Sequence, residues 1–175
     1  MILTGAIRSG KTGFLAGILS ELGMGVSGFL SPAAYADGRH VGYDLLPLGR
    51  GAAIPFIRRT GQPAWERVGG YFFIPEALAE ARRVIRESPA ESLLIVDEVG
   101  PLEMEGGGLW TVLEPALADG SRRSLLVVRE ACLEEMLGKL RCPPAGVFRL
   151  GDPSIAASLL SEIAREPAPV AGREG

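Results

Sequence analysis

Lysine, histidine and cysteine are scarce in this 175-residue chain: it has two lysines (Lys11 and Lys139), one histidine (His40) and two cysteines (Cys132 and Cys142). The cysteines have neither a CxxC spacing nor neighbouring histidines, which argues against a metal or dithiol site. Both are expected to be reduced thiols in a cytoplasmic protein. Excess positive charge is also missing. A formal net charge of −3 gives no electrostatic case for nucleic acid as the main partner, so any positive potential has to be local. No apolar run approaches the ~18 residues that span a bilayer, and no membrane partner is expected. The chain enters Met1-Ile2-Leu3 at once, and no signal or transit peptide is expected. No internal repeat is visible, and nothing names a protein partner.

What the chain does have is Gly5-Ala6-Ile7-Arg8-Ser9-Gly10-Lys11-Thr12, between an apolar start and a segment, 14–22, with apolar residues at helical spacing. Strand, glycine loop and helix are the context that the phosphate-binding pattern GxxxxGK[ST] requires. Its glycines let the backbone curl with N–H groups inward, a concave anion site at a helix N-terminus. Residues Gly5, Ala6, Ile7, Arg8, Ser9, Gly10, Lys11 and Thr12 are therefore the expected phosphate cradle. Within it, Lys11 reaches the β- and γ-phosphates and Thr12 holds Mg²⁺.

The hydrophobic fraction of 47% and charged fraction of 22% describe an ordinary globule, and the length suits one domain, taken as residues 1–165. A helix is predicted from Gly10 to Leu22, stopped by Gly23, and a strand over 26–30. Asp37-Gly38 predicts a hairpin with a return strand over 39–46, and Leu48-Gly49-Arg50-Gly51 a second turn. Extended runs are predicted at 52–58 and 65–74. Residues of about 26–74 thus read as an antiparallel β-rich insertion. Helices are expected over 76–87, 109–118, 130–140 and 154–165, alternating with strands at 93–96, 125–128 and 147–150. That alternation requires an α/β sheet with helices on both faces. The Pro-, Ala- and Gly-rich residues 166–175 are expected to be a disordered tail.

A nucleotide site needs a carboxylate for the metal at the carboxyl end of a buried strand, and Asp97 follows the apolar run Leu93-Leu94-Ile95-Val96. Beside it, Glu98 has the chemistry to accept a proton from an attacking water or to orient it. Arg39 and Arg67 are candidates for stabilising transition-state charge, though ion-paired surface arginines explain them more simply. Arg129, at the end of the 125–128 strand, is a candidate γ-phosphate sensor. His40 is expected on a solvent-facing strand position, Trp65 and Trp110 in packing, and Glu103 either in the metal's outer shell or as a loop charge.

These residues together resemble a known family. Besides the phosphate loop, Gly28-Phe29, Arg39 with Gly42-Tyr43-Asp44-Leu45, and Arg67-Val68-Gly69-Gly70-Tyr71 are similar to its middle motifs. Val96-Asp97-Glu98-Val99-Gly100-Pro101-Leu102-Glu103 is similar to its aspartate-glutamate motif. The family is the P-loop nucleoside-triphosphatases of bacteria and archaea, which includes the cancer-related nucleoside triphosphatase of animals. The resemblance implies a P-loop fold with a mixed, mainly parallel sheet and Mg²⁺-dependent hydrolysis of ATP, GTP and related triphosphates. Gly70 and Pro101 stand where the family usually carries lysines, and Arg8 is a candidate replacement for that charge. A nucleoside or nucleotide kinase, with its acceptor site in the β-rich insertion, and a nucleotide-dependent switch are the alternative readings.

Overall fold

In the computed structural model, residues 1–22, 25–49, 51–118 and 122–165 are described. The Gly23 helix stop, Arg50 of the second predicted turn and the tail 166–175 lie outside them.

Continuous apolar runs become strands covered on both faces. β8 (Leu93–Val99) is buried at every residue but Glu98, and β9 (Ser124–Arg129) is buried at its four central positions. With β1 (Ile2–Gly5), β2 (Val26–Leu30) and β10 (Val147–Arg149) they form a parallel half-sheet in the order β10-β1-β9-β8-β2. Side-chain alternation divides the core in two. Leu3, Leu93, Ile95, Leu125 and Val127 meet Leu15 and Ile18 of α1 (Lys11–Glu21) and Leu159 of α6 (Ile155–Ala164). On the other face Ile2, Leu94, Val96, Leu126 and Val128 meet three helices: α2 (Pro75–Arg86), α4 (Trp110–Leu117) and α5 (Leu133–Lys139). The predicted helix over 130–140 begins instead as a 3₁₀ turn at Glu130–Cys132. A short helix, α3 (Pro101–Met104), starts on Pro101.

The sheet then changes direction. β4 (Arg39–Pro47) pairs antiparallel with β2 through Phe29 opposite Pro47 and Leu30 opposite Leu46. Beyond it run β5 (Ile54–Arg58), β7 (Tyr71–Phe73) and β6 (Arg67–Val68), with β3 (Ala33–Ala36) on the other edge of β4. The expected antiparallel insertion is thus a wing starting at Ala33. Residues 26–30 belong to the parallel half, because β2 lies in register with β8 from Val26 opposite Leu93 to Phe29 opposite Val96. That close pairing needs glycine at 28: its φ is +96°, and a Cβ there would lie 1.9 Å from the Ile95 carbonyl oxygen.

This register decides where the wing sits. Only the last part of β4 flanks β2, and Asp44 N–H already bonds the Pro32 carbonyl at 2.9 Å, beyond the end of β2. The first half of β4, with β3 and the partners of β5, therefore projects past the carboxyl edge of the parallel sheet. Gly5 and Arg129 end their strands at that same edge, and Asp97-Glu98 lie just before the end of theirs.

Candidate active site

Residues 6–10 of the glycine loop are exposed, and the backbone turns at Arg8 (φ 61°) and Gly10 (φ 91°) into α1. The first turn of α1 carries no acidic residue, so the positive end of its dipole is uncompensated at the loop. Lys11 folds back over the loop, its Nζ donating to the Gly5 carbonyl at 2.9 Å and the Ala6 carbonyl at 2.8 Å. Burial lowers the Lys11 ammonium from its ordinary pKa, while Glu98 and Asp97 act to hold its charge.

Asp97 is 3% exposed. Its Oδ2 accepts the Ser31 N–H at 2.9 Å, and Thr12 lies near enough to the same carboxylate to favour its charged form. Burial pushes its carboxyl up to about 6 against both influences. The start of α1 and the end of β8 thus bring Thr12 and Asp97 near one another. Ser31, whose N–H reaches Asp97, is 1% exposed, and its hydroxyl is buried without a hydrogen-bond partner among the described residues. An orphaned buried hydroxyl calls for an explanation, and an ion or its water shell is one. Two hydroxyls and one carboxylate, with no cluster of three or more His, Cys, Asp or Glu among the described residues, form a donor set for a hard cation. It fits Mg²⁺, which keeps several waters and takes further oxygens from substrate phosphates.

Glu98 sits where the β8–β9 ladder slips. Asp97 opposes Val127 and Val99 opposes Val128, leaving Glu98 as an extra residue with φ 138°. A bulge re-aims a side chain, and strain of this kind is held only where the surroundings enforce it. The Glu98 carboxylate meets Arg129 at 3.3 Å, both side chains being partly exposed. Arg129 therefore lies across the base candidate at the end of β9, the strand between the phosphate-loop strand and the Asp97 strand. It also lies against Gly100, where a Cβ would be 3.1 Å from the Arg129 Nε. A guanidinium therefore stands at Gly100, one residue before Pro101. Gly70 is exposed in the β6–β7 turn.

Glu103 behaves as neither of the expected alternatives. It is 2% exposed, and its carboxylate accepts the Gly100 N–H at 2.8 Å and the Leu109 N–H at 3.0 Å. It clips the turn that follows Glu98, and burial pushes its carboxyl up to about 7. Arg39 and Arg67 are exposed on the wing, and among the described residues neither bonds the loop or Asp97-Glu98. The wing arginine with a built role is Arg58, which ion-pairs with Asp44 and donates to the Tyr43 carbonyl. Trp110 is 7% exposed, under Lys139 at 4.8 Å from its ring, and Trp65 packs beside Gly61, so both are packing residues as expected. His40 departs from expectation: it lies among the rings of Tyr35, Tyr43 and Tyr71.

The sequence profile of a family described as NTPase matches residues 1–152, most of the chain. This chain belongs to the NTPase family. Among its relatives, Nucleoside-triphosphatase THEP1 of Hyperthermus butylicus is 30% identical over 152 residues, 85% of this chain and 80% of the relative. The protein of the same name from Metallosphaera sedula is 27% identical over 158 residues, 81% of this chain and 86% of the relative. Two solved structures share the fold. THEP1 from the hyperthermophile Aquifex aeolicus superposes with a TM-score of 0.77 at 19% identity, covering 94% of this chain and 99% of that one. A human cancer-related nucleoside triphosphatase superposes at 0.69 and 22% identity, covering 95% and 98%. The NTPase profile spans every residue of the site, from Gly5 through Arg129. Among the described residues, no helix is long and apolar enough to cross a membrane.

Proposed function

We propose that this NTPase hydrolyses the γ-phosphate of ATP, GTP and related nucleoside triphosphates in a Mg²⁺-dependent reaction, releasing a nucleoside diphosphate and phosphate. The observation that carries this reading is Glu98, aimed by a strained bulge beside the Asp97–Thr12 pair. In this reading the main-chain N–H groups of residues 6–12 bind the phosphates. Lys11 exchanges its two loop carbonyls for β- and γ-oxygens and neutralises charge as the γ-phosphoryl departs. Thr12, Asp97 and Ser31 would hold Mg²⁺ directly or through water; when bound, it offsets phosphate charge and orients the chain for in-line attack. Glu98 receives the proton of the attacking water, and Arg129 restrains the carboxylate until the triphosphate draws the guanidinium away. The free thiols, one buried and one exposed, suit the reducing cytoplasm we assign.

Glu98→Gln keeps the shape and removes the base. It is expected to bind triphosphate normally and to lose roughly 10²- to 10⁴-fold in hydrolysis. Unchanged steady-state phosphate release in that variant would remove Glu98 from the mechanism.

A further inference from the structure

The wing carries four rings that the reaction above does not use. His40 is their hub: its ring centroid lies 5.0 Å from Tyr43, 5.6 Å from Tyr35 and 6.3 Å from Tyr71. Tyr43 and Tyr71 are 6.1 Å apart, and the Arg59 guanidinium lies 5.3 Å over the Tyr71 ring. Most of these contacts are edge-to-face, and Tyr43 and Tyr71 are also braced against the core, so the cluster is held in place from below. Tyr35 is 68% exposed, one of the most exposed large side chains of the protein beside Ile7 of the phosphate loop, at 72%. An exposed ring that adjoins three partly exposed ones offers a stacking platform for a planar ligand.

Two observations place this cluster. By register, Tyr43 and everything before it on β4 lie past the carboxyl edge of the parallel sheet, on the side where the phosphates bind. By strand order, the wing follows β2, so Asp97 and Glu98 stand between it and the phosphate-loop strand β1. Charges agree with that position. Burial followed by Glu98 raises the Tyr43 hydroxyl, and burial followed by Arg8 and Arg59 lowers His40, keeping its ring neutral. In a phosphate loop of this kind the γ-phosphate is the one nearest the metal carboxylate, and the base end of the same nucleotide extends the other way.

We propose that Tyr35, His40, Tyr43 and Tyr71 form a second binding site, beyond the γ-phosphate, for a planar aromatic ligand of the nucleobase class held alongside the triphosphate. The proposal rests on the reading that the γ end of the triphosphate faces Asp97 and Glu98. Stacking on tyrosine tolerates any base, because every base has a π-face, and Arg8 and Arg59 supply cationic edges.

The test is calorimetric titration of the whole chain, saturated with the β,γ-imido analogue of ATP and Mg²⁺, with adenosine, guanosine, cytidine and uridine. At least one nucleoside is expected to bind the loaded protein at one site per chain. Tyr35→Ala, on an exposed hairpin, and Tyr71→Ala are each expected to weaken it by roughly 10-fold or more, with the affinity for the imido nucleotide within twofold of wild type. The proposal is overturned if no nucleoside binds the loaded protein. It is overturned equally if the imido nucleotide competes with the nucleoside, or if both tyrosine variants bind nucleoside as wild type does. Failure of wild type to bind the imido nucleotide at all would sink the triphosphatase reading with it; normal loading without a second ligand sinks this proposal alone.

Discussion

The two halves of the sheet are built on opposite plans. In the parallel half the side chains of Leu93, Leu94, Ile95 and Val96 are all fully buried, and polar work is left to the strand ends and to main-chain N–H groups. In the wing, β3 buries one residue of four and β4 two of nine, so much of each strand remains accessible. There arginines and tyrosines do the work: Arg58 ties β5 to β4, and Arg59 caps Tyr71. A rigid half suits a reaction that depends on placing charges to within fractions of an ångström. A half-covered sheet suits adaptable binding. The comparison teaches that chemistry and recognition can be assigned to different halves of one continuous sheet, joined by the short β2–β4 pairing and by the core that α2 shares with both.

The sharpest attempt to break that division is Lys11→Ala. If catalysis lies in the parallel half, this loss should lower kcat/KM by about 10³-fold or more, measured by phosphate release, with no change in thermal stability. Next comes Gly28→Ala, which drives a Cβ to 1.9 Å from the Ile95 carbonyl oxygen in the middle of the parallel half. It is expected to cost about 3 kcal/mol or more and to take triphosphate binding down with the fold, read by urea unfolding. Gly42→Ala makes a matched clash in the wing, 1.8 Å from the Ile57 carbonyl oxygen. Gly42 is paired on both sides, but by the short outer strands β3 and β5, which have more freedom to shift than β8, so its expected cost is smaller, about 1–2 kcal/mol, with triphosphate binding retained. Equal losses from the two glycines would show the halves to be one cooperative unit.

Stability should also fall with pH for a reason located in the parallel half. Burial raises Glu103 from its ordinary value of 4.5 to about 7, so the folded chain holds a proton that the unfolded chain releases. The contribution is full below about 4.5 and is lost as pH rises through 7, an upper bound of about 3 kcal/mol between pH 5 and 8. Asp97, raised to about 6, acts in the same direction. Glu103→Gln should flatten Glu103's part of that slope in urea titrations at pH 5 and pH 8.

The parts of the site legible in the sequence were those fixed by local spacing. The Gly5–Thr12 pattern between strand and helix, and Asp97-Glu98 after four apolar residues, needed no knowledge of pairing. What stayed hidden depends on register. Glu98 bulges only because β8 and β9 slip by one residue, which no strand pattern encodes. Ser31 reaches Asp97 only because β2 lies parallel beside β8. A hairpin of mixed polarity points His40 to a solvent-facing strand position, but β4 slips against both its neighbours, between Ala34 and Tyr35 on β3 and between Tyr43 and Asp44 on β4 itself. The slips gather rings from positions 35, 40, 43 and 71 into one cluster. Glu103 gave one signal in advance: a carboxylate three residues after Gly100 at a Pro101 helix start has the spacing to cap that turn.

The central claim is attack by water on the γ-phosphorus of a triphosphate held by the parallel half. It is tested most directly by letting the wild-type protein turn over ATP with Mg²⁺ in water enriched in oxygen-18, then weighing both products by mass spectrometry. One heavy oxygen in the inorganic phosphate and none in ADP is the predicted result. Label in the nucleotide product, or release of pyrophosphate and AMP, would contradict it.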